Sequence, residues 1–145
     1  MSSGFLRYQL VKSSFSIATH IMTFLARYNE EWITSSHLAR SVNVNPVLVR
    51  KEVVNLKSRK LIISKEGKNG GLKLARPATD IKLSEIFSVV KGNNHILEFS
   101  KNEGNPNCEI GSQIKEKLGD LYEELDHLIE NSLSNTTLEE FKNKF

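Results

Sequence analysis

Cysteine occurs once in the 145 residues, at Cys108, and that scarcity excludes an intrachain disulfide framework and a four-cysteine zinc site. No apolar run approaches the roughly 18 residues that a membrane-spanning helix needs. The opening MSSGFLRYQLVK lacks the apolar core and small-residue cleavage site of a signal peptide, so a cytosolic protein is expected. Histidines are few: His20, His37, His95 and His127 show no i, i+4 pairing of the kind a zinc-binding helix uses. Each is read as a surface or satisfied core residue. Paired catalytic carboxylates, metal-ligand spacing and the phosphate-loop signature G-x-x-x-x-G-K-S/T are all missing, and no enzyme is expected. Internal repeats and low-complexity tracts are absent too.

What the chain does have is unevenly placed charge. Its formal net charge is only +3, yet residues 50–76 hold nine Lys or Arg against two Glu, a local net of +7 that leaves −4 elsewhere. The distribution says more about partners than the sum does. With 39% hydrophobic residues, the chain is long enough for one domain or two small lobes sharing a core.

Ile17, Ile21, Phe24 and Tyr28, flanked by Ala18 and Leu25, recur at helical spacing and predict a first helix from Ser13 to near Asn29. The extended pair Trp32-Ile33 leads to Thr34-Ser35-Ser36, which can cap a short second helix carrying Leu38, Ala39 and Val42. After the turn Val42-Asn43-Val44, Asn45 caps a third helix and Pro46 suits its first position, where a missing N–H costs nothing. That helix runs to about Arg59. Its inward face is Val49, Val53 and Leu56, so Val47, Arg50, Lys51 and Lys57 lie on other faces. Two helices and a tight turn, the second helix basic, make a helix-turn-helix. Ile62-Ile63-Ser64 and Leu72-Lys73-Leu74 around Gly67-Lys68-Asn69-Gly70-Gly71 predict a hairpin wing. Ile81, Leu83, Ile86, Phe87 and Val90 predict a fourth helix closed by Gly92. Beyond a polar loop over 93–107, a long helix from Cys108 to Leu133 carries Ile114, Leu121 and Leu128 at one heptad position and Leu118 and Leu125 at the other, a seam that needs a partner. Overlapping capping boxes at Thr136-Thr137-Leu138-Glu139-Glu140 predict a last short helix with Leu138 and Phe141. The fold class is mainly α with a small β wing.

A basic helix preceded by a positioning helix fits the major groove of duplex DNA, and a Gly-rich hairpin with Lys65, Lys68, Asn69, Lys73 and Arg76 can meet phosphates or an adjacent minor groove. Val47, Arg50 and Lys51 are expected to read bases, with Asn45 and Pro46 fixing the angle of approach and Ser35, Ser36 and Lys57 on the backbone side. Arg50 can grip a guanine edge twice, worth roughly 1–3 kcal/mol of discrimination. A winged-helix module docking an acidic protein partner through the same basic face is the alternative. Cys108, at the start of the long helix, is a candidate redox sensor because helix N-termini lower thiol pKa values; the plain alternative is an inert, partly buried small residue or an N-cap. His95 beside Cys108, and Phe87, Phe99 and Tyr122 between the fourth and long helices, are candidates for a small-molecule effector pocket, with core packing as the competing role.

Three segments, LARSVNVNPVLVRKEVVNLKSRKLI, GKNGGLKLARPATDIKLSEIF and NPNCEIGSQI, in that order, resemble the Rrf-two winged-helix repressors, the group of IscR-, NsrR- and CymR-like regulators. The resemblance runs from Leu10 over nearly the whole chain, and NPVLVRK and NPNCEIG look most like the YwnA-like branch. It implies a homodimer in which the long helices pack together and two basic helices read a palindromic operator, usually repressing transcription in response to a redox or small-molecule signal. Residues 1–78 would be the DNA-binding domain and 79–145 the dimerisation and sensor region. Many members of the family hold an iron-sulfur cluster through three cysteines before and at the start of the long helix. Here only Cys108 occupies such a place, so no cofactor is expected.

Overall fold

The computed structural model describes the backbone of residues 3–145 and the side chains of residues 13–145. Helix α1 (Ser3–Arg27) begins well before the expected Ser13, because SGFLRYQLVK contains no proline and is rich in good helix formers. Thr34 caps helix α2 (Ser35–Val42), its side chain accepting from the His37 amide, and Asn43 ends it in the left-handed conformation at φ 58°, which Asn tolerates better than most residues. Asn45 Oδ1 accepts from the Val47 amide at 2.9 Å and opens helix α3 (Pro46–Ser58). Strands β1 (Ile62–Lys65) and β2 (Gly71–Leu74) pair antiparallel, with Ile62 opposite Leu74 and Lys65 opposite Gly71. A 3-10 turn (Ala78–Asp80) leads to helix α4 (Leu83–Lys91), which stops at Gly92 with φ 56°.

Helix α5 (Ile114–Leu133) starts six residues later than Cys108. Asn105 Oδ1 accepts from the Asn107 amide at 2.9 Å, and the Asn105 carbonyl accepts from the Cys108 amide at 3.1 Å. These bonds fold NPNC into an Asx-type turn, a geometry that Asn-Pro favours over helix. Helix α6 (Leu138–Lys142) is capped by Thr137.

The core gathers Ala18, Ile21, Met22 and Leu25 of α1, Leu38 of α2, Val49 and Leu56 of α3, Ile62 and Leu72 of the wing, and Ile81, Leu83 and Ile86 around α4. Leu138 of α6 joins the same cluster and is fully buried. The tail is tied down by two backbone bonds, from the Leu138 amide to the Ile81 carbonyl (2.7 Å) and from the Leu83 amide to the Thr136 carbonyl (3.0 Å). The core therefore draws on both sides of residue 78. Helix α5 touches it only through half-buried Leu133 at its end, and the one residue it buries is Asp126.

Candidate nucleic-acid interface

Helix α3 is divided lengthwise. Val49, Val53 and Leu56 face the core at 9% exposure or less, which fixes the rotation of the helix. Residues three, four and seven apart share a face, so Val47, Arg50, Lys51 and Val54 stand together on the outside. Val47 is 58% and Val54 65% exposed, Arg50 and Lys51 are exposed beside them, and neither cation enters an ion pair among the described residues. This face can offer a guanidinium to guanine and two methyl-bearing side chains to thymine methyls. Val54 was missed by the sequence reasoning, although the i, i+7 spacing from Val47 pointed to it. Asn45, Pro46 and Ser36 are exposed at the leading edge, and Ser35 is half-buried. Lys57 is exposed and its ammonium donates to Ser64 Oγ, tying the end of α3 to β1.

The core-facing side of α3 holds an unforeseen residue. Glu52 is 2% exposed; Ser14 Oγ of α1 donates to its Oε1 at 3.0 Å, and its Oε2 has no hydrogen-bond partner among the described residues. Burial pushes the Glu52 carboxyl pKa up, against smaller opposing pulls from the Ser14 bond and the Lys51 charge.

In the wing, Lys65, Lys68 and Asn69 are exposed and Lys73 is half-buried. Gly71 runs against the segment before α2: a Cβ there would lie 2.8 Å from the Ile33 backbone. That approach lets Ile33 and Leu72 exchange amide–carbonyl bonds of 3.1 and 2.7 Å. Arg76 departs from expectation. Its guanidinium donates to the Asp80 carbonyl and is paired with Glu85, so its charge is already answered within the chain.

Away from the basic face, Cys108 is exposed, and its Sγ accepts from the Gly111 amide at 3.4 Å. Amides of Gly111 and then Ile110 hold its pKa below the ordinary thiol value. The expected direction stands, but its cause is a turn and not the end of α5. His95 is engaged with Asp126, its Nδ1 2.6 Å from Oδ2, while the Ile96 amide donates to Oδ1 and Lys91 lies 3.9 Å away. The three aromatics do not share one cavity: Phe99 stacks on Tyr122 at 5.0 Å, whereas Phe87 meets Phe15 at 6.1 Å. Phe87 and His95 do line a cleft of about 400 Å³ with Phe15, Val90, Ile129 and Leu133. Along α5 the heptad residues Ile114, Leu121 and Leu128 are 41%, 47% and 58% exposed, and Leu118 and Leu125 are half-buried.

Comparison with known proteins agrees with this architecture. The Rrf2 family, described as iron-dependent transcriptional regulators, matches residues 11–144. YwnA of Bacillus subtilis, named an HTH-type transcriptional regulator, is 29% identical over 134 residues, covering 92% of this chain and 98% of its own. Among solved structures, a regulator from Lactobacillus plantarum aligns with a TM-score of 0.75 at 23% identity, over 91% of this chain and 89% of that one. CymR, the global cysteine regulator of Bacillus subtilis, gives 0.66 at 20% identity over 90% and 94%. At those identities the two structures speak for the fold alone, a mostly helical chain with a two-stranded wing. Since the family match spans the capped basic helix, the wing and the long helix alike, the chain belongs to the Rrf2 family of winged-helix transcriptional regulators.

Proposed function

We propose that this regulator is a cytosolic homodimeric repressor that binds a palindromic operator, with residues 1–78 contacting DNA and residues 79–145 pairing the protomers and sensing the signal. The observation that carries it is the face of α3: Val47, Arg50 and Lys51 stand in solvent, with no ion pair to either cation among the described residues, on a helix whose opposite side is locked into the core. Arg50 and Lys51 with Val47 read base edges, Asn45 and Pro46 set the angle of approach, and Ser35, Ser36, Lys57, Lys65, Lys68, Asn69 and Lys73 meet the backbone. The Ile114, Leu118, Leu121, Leu125 and Leu128 seam pairs with a second copy and spaces the two α3 helices about 34 Å apart, one turn of DNA. Repression is relieved when a peroxide oxidises the Cys108 thiol to a sulfenic acid, being itself reduced to water or an alcohol, or when a small molecule enters the cleft beside His95, either of which biases that spacing.

The family description names iron. An iron-sulfur cluster needs several thiolates, and this chain has one cysteine, with no grouping of three or more His, Cys, Asp or Glu suited to a metal among the described residues. The donor set does not fit a cluster, and no step here runs through iron.

Fragments selected from the organism's own genome, titrated by fluorescence anisotropy between about 50 and 200 mM salt, test the proposal. Affinity is expected to fall by about three orders of magnitude or more across that range, and scrambled fragments to bind about a thousandfold more weakly. A flat salt profile, or equal affinity for every sequence, would overturn specific recognition.

A further inference from the structure

Trp32 is the single tryptophan of the chain, and it sits in the segment between α1 and α2, outside the helix-turn-helix proper. Its ring lies 4.9 Å from the Lys73 ammonium and 5.7 Å from that of Lys65. The backbone explains why it meets both. Ile33, next in sequence, is bridged to Leu72 near the turn end of β2, so Trp32 is held beside the Lys65–Gly71 pair that flanks the turn. Lys65 faces Gly71 across the hairpin, and Gly71 and Lys73 project to one side of β2, as residues two apart in a strand do. The two lysines are thus diagonal neighbours on one face, and the glycine between them leaves their ammonium groups room to converge on an indole.

We infer that Trp32 is a positioning residue for DNA binding: its ring gathers the Lys65 and Lys73 ammonium groups on one face of the wing as a pre-set pair of cations for the phosphate backbone. The inference rests on the DNA-binding function proposed above. An aromatic face attracts a cation without neutralising it, so both charges remain available to phosphate. Arg76 shows the contrary arrangement a few residues away, its charge consumed by Glu85. Two long side chains already gathered lose less freedom on meeting DNA, and that saving appears as affinity.

The test uses the full chain and a selected genomic fragment carrying a fluorescent label outside the tryptophan emission band. Trp32→Leu keeps an apolar cover but removes the aromatic face; it is expected to bind about three- to tenfold more weakly, with a shallower salt dependence and an unchanged melting temperature. Trp32→Phe, which restores a ring, is expected to recover most of the affinity. The wild-type protein supplies a readout that needs no variant: emission from Trp32 should change along the same isotherm as the anisotropy of the DNA label. Wild-type protein that binds the fragment with no change in Trp32 emission, or Trp32→Leu binding as tightly and with the same salt slope, overturns the inference and leaves DNA binding intact. Wild-type protein that binds no fragment in a salt-dependent manner overturns both.

Discussion

Helices α3 and α5 carry apolar residues at similar helical spacings, and only α3 buries them. Val49, Val53 and Leu56 of α3 are between 0% and 9% exposed, whereas Ile114, Leu121 and Leu128 of α5 remain between 41% and 58% exposed. A large apolar side chain left in water forgoes about 1.5–3 kcal/mol relative to a buried one. The α3 lobe is complete within one chain, since α1, α2, the wing, α4 and α6 all close over it. The α5 stripe has no such cover among the described residues, which is the physical ground for assigning it to the dimer proposed above.

Charging that stripe is the most severe way to break the contrast. The pair Leu121→Lys and Leu128→Lys lies outside the core cluster, so the lobe should stay folded while sedimentation shows a single protomer. Loss of the second, tethered half-site is expected to weaken operator binding by about 100-fold or more. A doubly charged variant that still sediments as a dimer and binds its operator normally would remove α5 from the interface.

On the other helix the contrast is sharpened by separating reading from anchoring. Arg50→Ala is expected to cost about 1–3 kcal/mol and to relax preference at one base position. Lys68→Ala, at the wing tip, should weaken every sequence alike and reduce the salt slope by about 1. Both residues are exposed, so melting temperatures should hardly move. Anisotropy titrations against an operator and its single-base variants distinguish the two outcomes.

The parts of this fold that were legible in the sequence are those in which a local rule and the tertiary structure agree. Asn45-Pro46 predicted the start of α3, Gly92 the end of α4, and Val49, Val53 and Leu56 the buried face, because capping chemistry and 3.6-residue periodicity act within a few residues. What escaped depends on distant partners or on competing local chemistry. The NPNC turn displaced the start of α5 because Asn105 side-chain bonding won over helix extension. Arg76, expected to meet phosphate, is paired at the surface with Glu85, nine residues on, which the local pattern did not signal. His95 and Cys108 are joint candidates for an effector pocket near the loop in the sequence, whereas the residue that His95 engages, Asp126, lies 31 residues away. Trp32 meets Lys65 and Lys73 only because the wing folds back on it.

The two helices also each bury one carboxylate, and here the contrast reverses. Asp126 of α5 is bonded by His95 and the Ile96 amide, while Glu52 of α3 has one oxygen served by Ser14 and the other without a partner among the described residues. Burial raises the folded-state pKa of Glu52 above its unfolded value, so the native protein holds this proton more tightly than the unfolded chain does. The resulting stabilisation is complete below the ordinary carboxylate range and is lost as pH rises through the raised folded value. Glu52→Gln keeps an oxygen for Ser14 and cannot ionise. It should flatten the decline of stability as pH rises above the ordinary carboxylate range, with a gain at the upper end of about 1 kcal/mol. Urea unfolding of both proteins across that range measures the difference, and parallel stability curves would mean that Glu52 finds in solution a partner for its second oxygen.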